Sequence, residues 1–241
     1  MVQQRGDITA GRVQLRVTNT SSSPETFTTA ALLSPALSEP AEWDARRPVT
    51  LDPGRTVDLP VVLPAVRCID DPGDAQATFT VDGLSVSVPP DDALDVLGRA
   101  GATACDQEDM ASVARIRAAG ASSGVDGTIA LRVDVAPSGV GTGTIELVAL
   151  RGTVLLRFAD GAEAPLHVAV SARDRPSHID VVVVPQRCDA HAIAEDKVGT
   201  LFDLVVRIDG REVAVPLERS QEVADTLLAL TARVCGLTPA D

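Results

Sequence analysis

The chain has 241 residues and a formal net charge of −13, and it is 45% hydrophobic but only 2% aromatic. That length provides for one large domain or two of ordinary size, each with a packed core. The charge excludes nucleic acid and anionic membrane surfaces as partners by long-range repulsion, and the scarcity of aromatic rings removes the stacking faces that single-stranded nucleic acid requires.

In chain order, RVQLRVTN (12–19) alternates apolar residues at Val13, Leu15 and Val17, the pattern of a half-buried strand. A polar SSSP turn leads into a returning strand, TFTTAALL (26–33). Asp52-Pro53-Gly54-Arg55 turns the chain between RPVTL and TVDLPVVL. VDGLSVSVP (81–89) is a hairpin about Asp82-Gly83, because an Asp-Gly pair flanked by alternating apolar residues fits a two-residue turn with positive φ. It places Val86 and Val88 on one side, and Pro89 ends the strand because it has no N–H for a ladder. A helix capped by Asp91 or Asp92 follows, carrying Leu94 and Leu97 and ending at Cys105. A boundary is expected at 106–124, where DQEDM gives way to AAGASSG, although ASVARIRA within it also fits a first strand of the second half.

TIALRVDV (128–135) and TIELVAL (144–150) then flank PSGVGTG, which lacks the Lys and following helix of a phosphate-binding loop and reads as a hairpin connection. The strands TVLLRF, PLHVAV and HIDVVVV come next. IDGREVAVP (208–216) repeats the earlier hairpin, with Val213 and Val215 in the places of Val86 and Val88. Ser220 can cap a last helix on which Val223, Leu227, Leu228, Leu230 and Val234 recur at helical spacing.

The cysteines follow the same duplication. VDLPVVLPAVRC ends at Cys68 and HIDVVVVPQRC at Cys188, each after a Val-rich strand, while Cys105 and Cys235 each end a helix-like stretch. Four cysteines allow three pairings. The repeat selects Cys68–Cys105 and Cys188–Cys235, which keep each bond inside its own half, and such bonds persist in oxidising compartments. No run reaches the ~18 apolar residues of a membrane span. MVQQRGDITA has no apolar core of a signal peptide, so export implies a signal or lipid anchor that this chain does not carry.

VxLxVTNTSSSP followed by TLDPGRTVDLPVVLP is similar to immunoglobulin-like sandwich domains of bacterial envelope proteins. With the Asp-Gly hairpin and a helix-borne second Cys, the chain resembles uncharacterised secreted or lipid-anchored actinobacterial proteins. The use of 20 Arg against the single Lys197 agrees with the GC-rich genome such a source would have. The resemblance transfers no catalytic residue. Trp43 lies outside the Cys68–Cys105 segment and the second half has no Trp, so the Trp-against-disulfide core of antibody domains is absent.

No G-x-S-x-G nucleophile elbow occurs. His167 and His178 sit in strand-like alternation, as surface histidines do. The candidate metal ligands are carboxylates and one imidazole: Asp70, Asp71 and Asp74 in CIDDPGD, Asp91 and Asp92 (with Asp95) in PPDDALD, and Asp189 and His191 (with Glu195 and Asp196) in CDAHAIAED. Clustered oxygen ligands suit calcium, but turn formation and helix capping account for the same residues. Arg5-Gly6-Asp7 spells the tripeptide that integrins read. The expected protein is mainly β: two tandem immunoglobulin-like β-sandwich domains, residues 8–106 and 111–237, each with a short C-terminal helix and an intradomain disulfide. The expected function is non-enzymatic and needs no cofactor: an extracytoplasmic protein-binding or scaffold module of the cell envelope whose partner is another envelope protein. The alternative is a secreted metal- or small-ligand-binding accessory protein that uses the acidic loops.

Overall fold

A computed structural model describes residues 1–69, 73–195 and 197–237. The chain divides into two compact units, Met1–Cys105 and Asp106–Asp241.

The first unit contains α1 (Arg5–Thr9), β1 (Arg12–Thr18), β2 (Glu25–Leu33), β3 (Ala41–Glu42), β4 (Val49–Leu51), β5 (Thr56–Val62), β6 (Gln76–Val81), β7 (Leu84–Val88) and the first part of α2 (Val96–Val113). β1 and β5 form one antiparallel sheet, with Leu15 opposite Leu59. The other sheet runs β3-β2-β6-β7, and β4 also pairs with β2. Val13, Leu15, Leu59 and Val61 from the small sheet meet Phe27, Ala30, Leu32, Ala77 and Phe79 from the large one in a single core, which makes the unit a β-sandwich. Phe27 and Ala30 both point inward although they are three residues apart, because the β2–β6 register shifts between Phe27 and Thr29.

The second unit contains β8 (Ala114–Ser123), β9 (Ile129–Pro137), β10 (Thr144–Arg151), β11 (Leu156–Phe158), β12 (Glu163–Ser171), β13 (Ser177–Pro185), α3 (Ala190–Glu195), β14 (Asp203–Ile208), β15 (Arg211–Pro216), β16 (Glu218–Arg219) and α4 (Gln221–Val234). One sheet is ordered β12-β10-β14-β15 and the other β11-β13-β9-β8-β16. Side chains of both, including Leu131, Val133, Leu147, Leu204 and Val206, share one core. Ser220 caps α4 by accepting a bond from the Val223 N–H at 3.2 Å. Val223, Leu227 and Leu230 bury its inner stripe, while Val234 is 38% exposed and stands off it.

Both Asp-Gly hairpins form. Asp82 and Gly83 lie at φ 48° and 82°, and Asp209 and Gly210 at φ 50° and 79°, the two consecutive positive values of a type I′ turn. The disulfides join Cys68 to Cys105 and Cys188 to Cys235. Three details differ from the sequence expectations. α2 does not end at Cys105: DQEDM is helical, not a linker, because Met110 and Val113 at its end bury in the core of the second unit. β8 starts immediately after, at Ala114, so ASVARIRA holds a helix end and a strand start. The stretch at 138–143 is not a hairpin connection, because β9 and β10 belong to opposite sheets and the segment is the arch between them.

Candidate functional site

β7 closes one edge of the large sheet in the first unit, and every one of its residues is exposed. Its register sets Val86 opposite Phe79 and Val88 opposite Ala77, two core residues, so Leu84, Val86 and Val88 stand on the core side of the sheet. They are nevertheless 72%, 42% and 42% exposed, because among the described residues the facing sheet is formed by β1 and β5 alone. The resulting groove, with a cavity of about 370 Å³, runs between β7 and β1 and is walled by Leu15, Val17, Phe79 and Val88, with Pro89 and Arg16 at its rim.

Among the described residues, both flanking strands carry outward backbone groups that no strand pairs. A two-residue turn makes Val81 and Leu84 a hydrogen-bonded pair, so the N–H and C=O groups of Ser85 and Ser87 point away from β6. On β1, Gln14 exchanges both backbone bonds with Val2, at 2.8 and 3.0 Å. The same alternation turns the backbone groups of Arg16 and Thr18 outward, and no strand among the described residues pairs with them. The Met1 ammonium donates to the Asp91 carbonyl, which pins the N-terminal segment at one end of the groove.

The twin hairpin in the second unit has the same sequence pattern and the opposite burial: Val213 is 9% exposed and Val215 fully buried. An open strand edge flanked by apolar side chains is a template for pairing with another chain. β7 itself, LSVSV, has no charged residue to discourage it.

Arg16 is held across β1 and β5 by Asp58, with bonds of 2.7 and 2.8 Å from its guanidinium to the two carboxylate oxygens. These bonds hold the Asp58 carboxyl below its ordinary value, with the Coulomb attraction of Arg16 adding and partial burial opposing. A lowered folded value means that the pair stabilises the fold above the unfolded carboxyl pKa of ~3.9, and that this contribution is lost as pH falls through the folded value. Both groups are partly exposed, so the effect is small. The expected result is a melting temperature that falls below about pH 4, with part of that slope removed in Asp58→Asn; an unchanged acid profile in the variant contradicts the assignment.

Among the described residues, no three His, Cys, Asp or Glu side chains converge as a metal site would require. Asp70, Asp71 and Asp196 lie outside the described residues, as does the Glu195 side chain. Asp74 and Asp91 are exposed. The Asp92 carboxylate accepts bonds from the N–H groups of Val96 and Leu97 at 3.0 and 3.2 Å and so caps α2. Asp189 and His191 are exposed at the start of α3. His167 lies in β12, 3.6 Å from Glu146, and His178 in β13, 3.8 Å from Asp180. Asp7 of the Arg-Gly-Asp tripeptide is buried, held by the Arg12 guanidinium at 3.2 Å and the Gln14 amide at 2.8 Å, and cannot be presented to a receptor.

A second cavity, about 430 Å³, lies at the N-terminus of α4 beside Arg115, Arg117 and Arg219. Its cations are engaged: Arg115 with Glu218, Arg117 with Asp134, and Arg219 with the Thr200 carbonyl. Burial lowers the pKa of Arg219 from its ordinary value.

No family model matches the chain, and no curated protein matches it either. Among solved structures, the chain is similar to the CsuC–CsuE chaperone–tip adhesion subunit pre-assembly complex of the archaic chaperone-usher Csu pili of Acinetobacter baumannii, at 8% identity over 88% of this chain and 93% of that one, with a TM-score of 0.25. It is also similar to the YadV chaperone, at 14% identity over 86% and 92% of the respective chains and a TM-score of 0.21. A red sea bream transglutaminase matches at 11% identity over 87% of this chain and 29% of that one, with a TM-score of 0.22. Likenesses this weak leave the functional reading to the chain's own residues.

Proposed function

We propose that the protein is a non-enzymatic, extracytoplasmic binding or scaffold module of a bacterial cell envelope, and that it binds another protein through the open edge of its first unit. The observation that carries this reading is the exposure of Leu84, Val86 and Val88 on an uncharged edge strand beside the unpaired edge of β1. Extended segments add to such edges through main-chain bonds, while side-chain pockets set specificity. The two disulfides support an oxidising compartment, and among the described residues no helix is long and apolar enough to cross a membrane. The twin hairpins and twin Cys layouts support two tandem immunoglobulin-like domains derived by duplication, each finished by a helix, in a secreted or lipid-anchored protein of actinobacterial type.

A peptide-display selection against the full chain tests the binding role. Enriched peptides are expected to alternate apolar and polar residues and to bind Val86→Lys about tenfold or more weakly, since the Lys places a charge where an apolar side chain must seat. Peptides without alternation, binding Val86→Lys as well as the native chain, would overturn the reading.

A further inference from the structure

Successive residues of a strand face opposite sides of their sheet, so the large sheet of the first unit has a second face, turned away from the core and from the groove beside β1. On it Leu33 of β2 stands opposite Gln76 of β6, and Thr78 of β6 opposite Ser87 of β7. The Ser87 hydroxyl donates to the Gln76 side-chain oxygen at 3.1 Å. Residues 34–40, which lead from β2 to β3, border these strands and with them form a cavity of about 480 Å³. That border is fixed to the unit behind it. The Ser38 N–H donates to the Ala65 carbonyl at 2.9 Å, the Arg67 N–H to the Ala36 carbonyl at 2.8 Å, and the Arg67 guanidinium to the Ser38 carbonyl at 3.1 Å. Ala36 and Leu37 are 0% and 3% exposed, so the wall is packed in place and the groove is preformed.

The lining combines two chemistries. Leu33, 38% exposed, and Pro35, also exposed, give it bare apolar surface. Glu39 and Asp74 add two exposed carboxylates, and among the described residues no Arg, Lys or His lines the cavity. Apolar surface beside acceptor-only charge is the complement of a long basic side chain, whose methylene stem covers the one while its charged head donates to the other. A metal ion would use the carboxylates and leave Leu33 in water. An apolar side chain would cover Leu33 and strand the carboxylates. The first unit has fourteen Asp and Glu against eight Arg, so its field attracts a basic segment and repels an acidic one.

We propose that this outer groove is a second docking site, which takes a basic segment of a partner protein: the stem of an Arg or Lys lies over Leu33 and Pro35, and its charged head meets Glu39 and Asp74. The hydroxyls of Thr78 and Ser87 then bond the segment's main chain. The site goes beyond the edge of β7 proposed above, since it lies on the opposite face of the sheet and is built from other side chains. A second copy of this chain is a poor occupant, because its net charge of −13 opposes approach.

A capped tetra-arginine peptide titrated into the full chain tests the site, with affinity read by fluorescence anisotropy and location by backbone amide NMR shifts. Saturable binding is expected, with shifts at Leu33, Thr78 and Ser87. Glu39→Gln combined with Asp74→Asn is expected to weaken binding about tenfold or more, the loss of a charge-assisted contact. Glu108→Gln combined with Glu222→Gln removes the same charge from exposed positions of the second unit and is expected to change affinity less than about twofold. Equal losses in the two double variants would reduce the binding to general attraction and overturn the site. Leu33→Ser is expected to weaken binding about threefold or more by removing the surface under the stem, and an unchanged affinity would overturn the mode of seating. Calcium chloride that shifts the same amides and displaces the peptide makes a metal ion the occupant and overturns the partner assignment. Shifts at Ser85 and Val86 with none at Leu33 overturn this site and leave the reading of the β7 edge standing.

Discussion

Replacing Cys188 and Cys235 together by Ala is expected to lower the unfolding free energy by about 4 kcal/mol. The bond spans 47 residues of sequence, and in the chain-entropy account most of its effect comes from removing loop-closure freedom from the unfolded state. It also has a local task. Cys235 caps the C-terminus of α4 and Cys188 follows β13, so the bond holds the end of the helix whose Val223, Leu227 and Leu230 close the core. Urea denaturation measures the change: with a slope of ~2 kcal/mol per molar, the midpoint drops by about 2 M. A loss below ~1 kcal/mol would mean that packing of α4 alone fixes the unfolded-to-folded balance. Cys68–Cys105, at a separation of 37, is expected to contribute about the same, because the entropy grows only with the logarithm of loop length.

Phe202→Ala is expected to cost about 3–5 kcal/mol. Phe202 is 1% exposed and is among the largest fully buried side chains. Its ring lies 6.2 Å from that of Phe158, tilted by 44°. Truncation removes that contact and leaves a void in a core built mostly from Val, Leu and Ile, whose β-sheet backbone restricts collapse into the gap. Phe202→Leu, which retains most of the volume, is expected to cost less than about 1.5 kcal/mol. Chemical denaturation of both variants gives the comparison, and equal costs for the two would show that the site tolerates a cavity.

Wherever local chemistry suffices, the sequence is a complete guide. Asp82-Gly83 and Asp209-Gly210 adopt the positive-φ pair that two-residue hairpins need. Ser220 caps α4 because its hydroxyl can reach an N–H three residues on. The repeated Cys layout was enough to choose one pairing out of three. Less legible was the extent of α2, where Met110 and Val113 draw the helix past Cys105 through burial that a low-amphipathicity stretch does not advertise. The arch at 138–143 resembles a hairpin in composition because Gly-rich loops serve both connections.

By itself, then, the amino-acid order determined the hairpins, the caps, the β-rich class and the sulfur pairing, since each depends on neighbours along the chain or on a pattern written twice. Only the tertiary structure decided which copy is closed. Val86 and Val213 sit in near-identical sentences, yet Val86 is 42% exposed and Val213 9%, because Val213 belongs to a core that both sheets and α4 of its unit build, while every residue of β7 stands exposed. Burial belongs to the pair of surfaces in contact, so a segment cannot encode it alone.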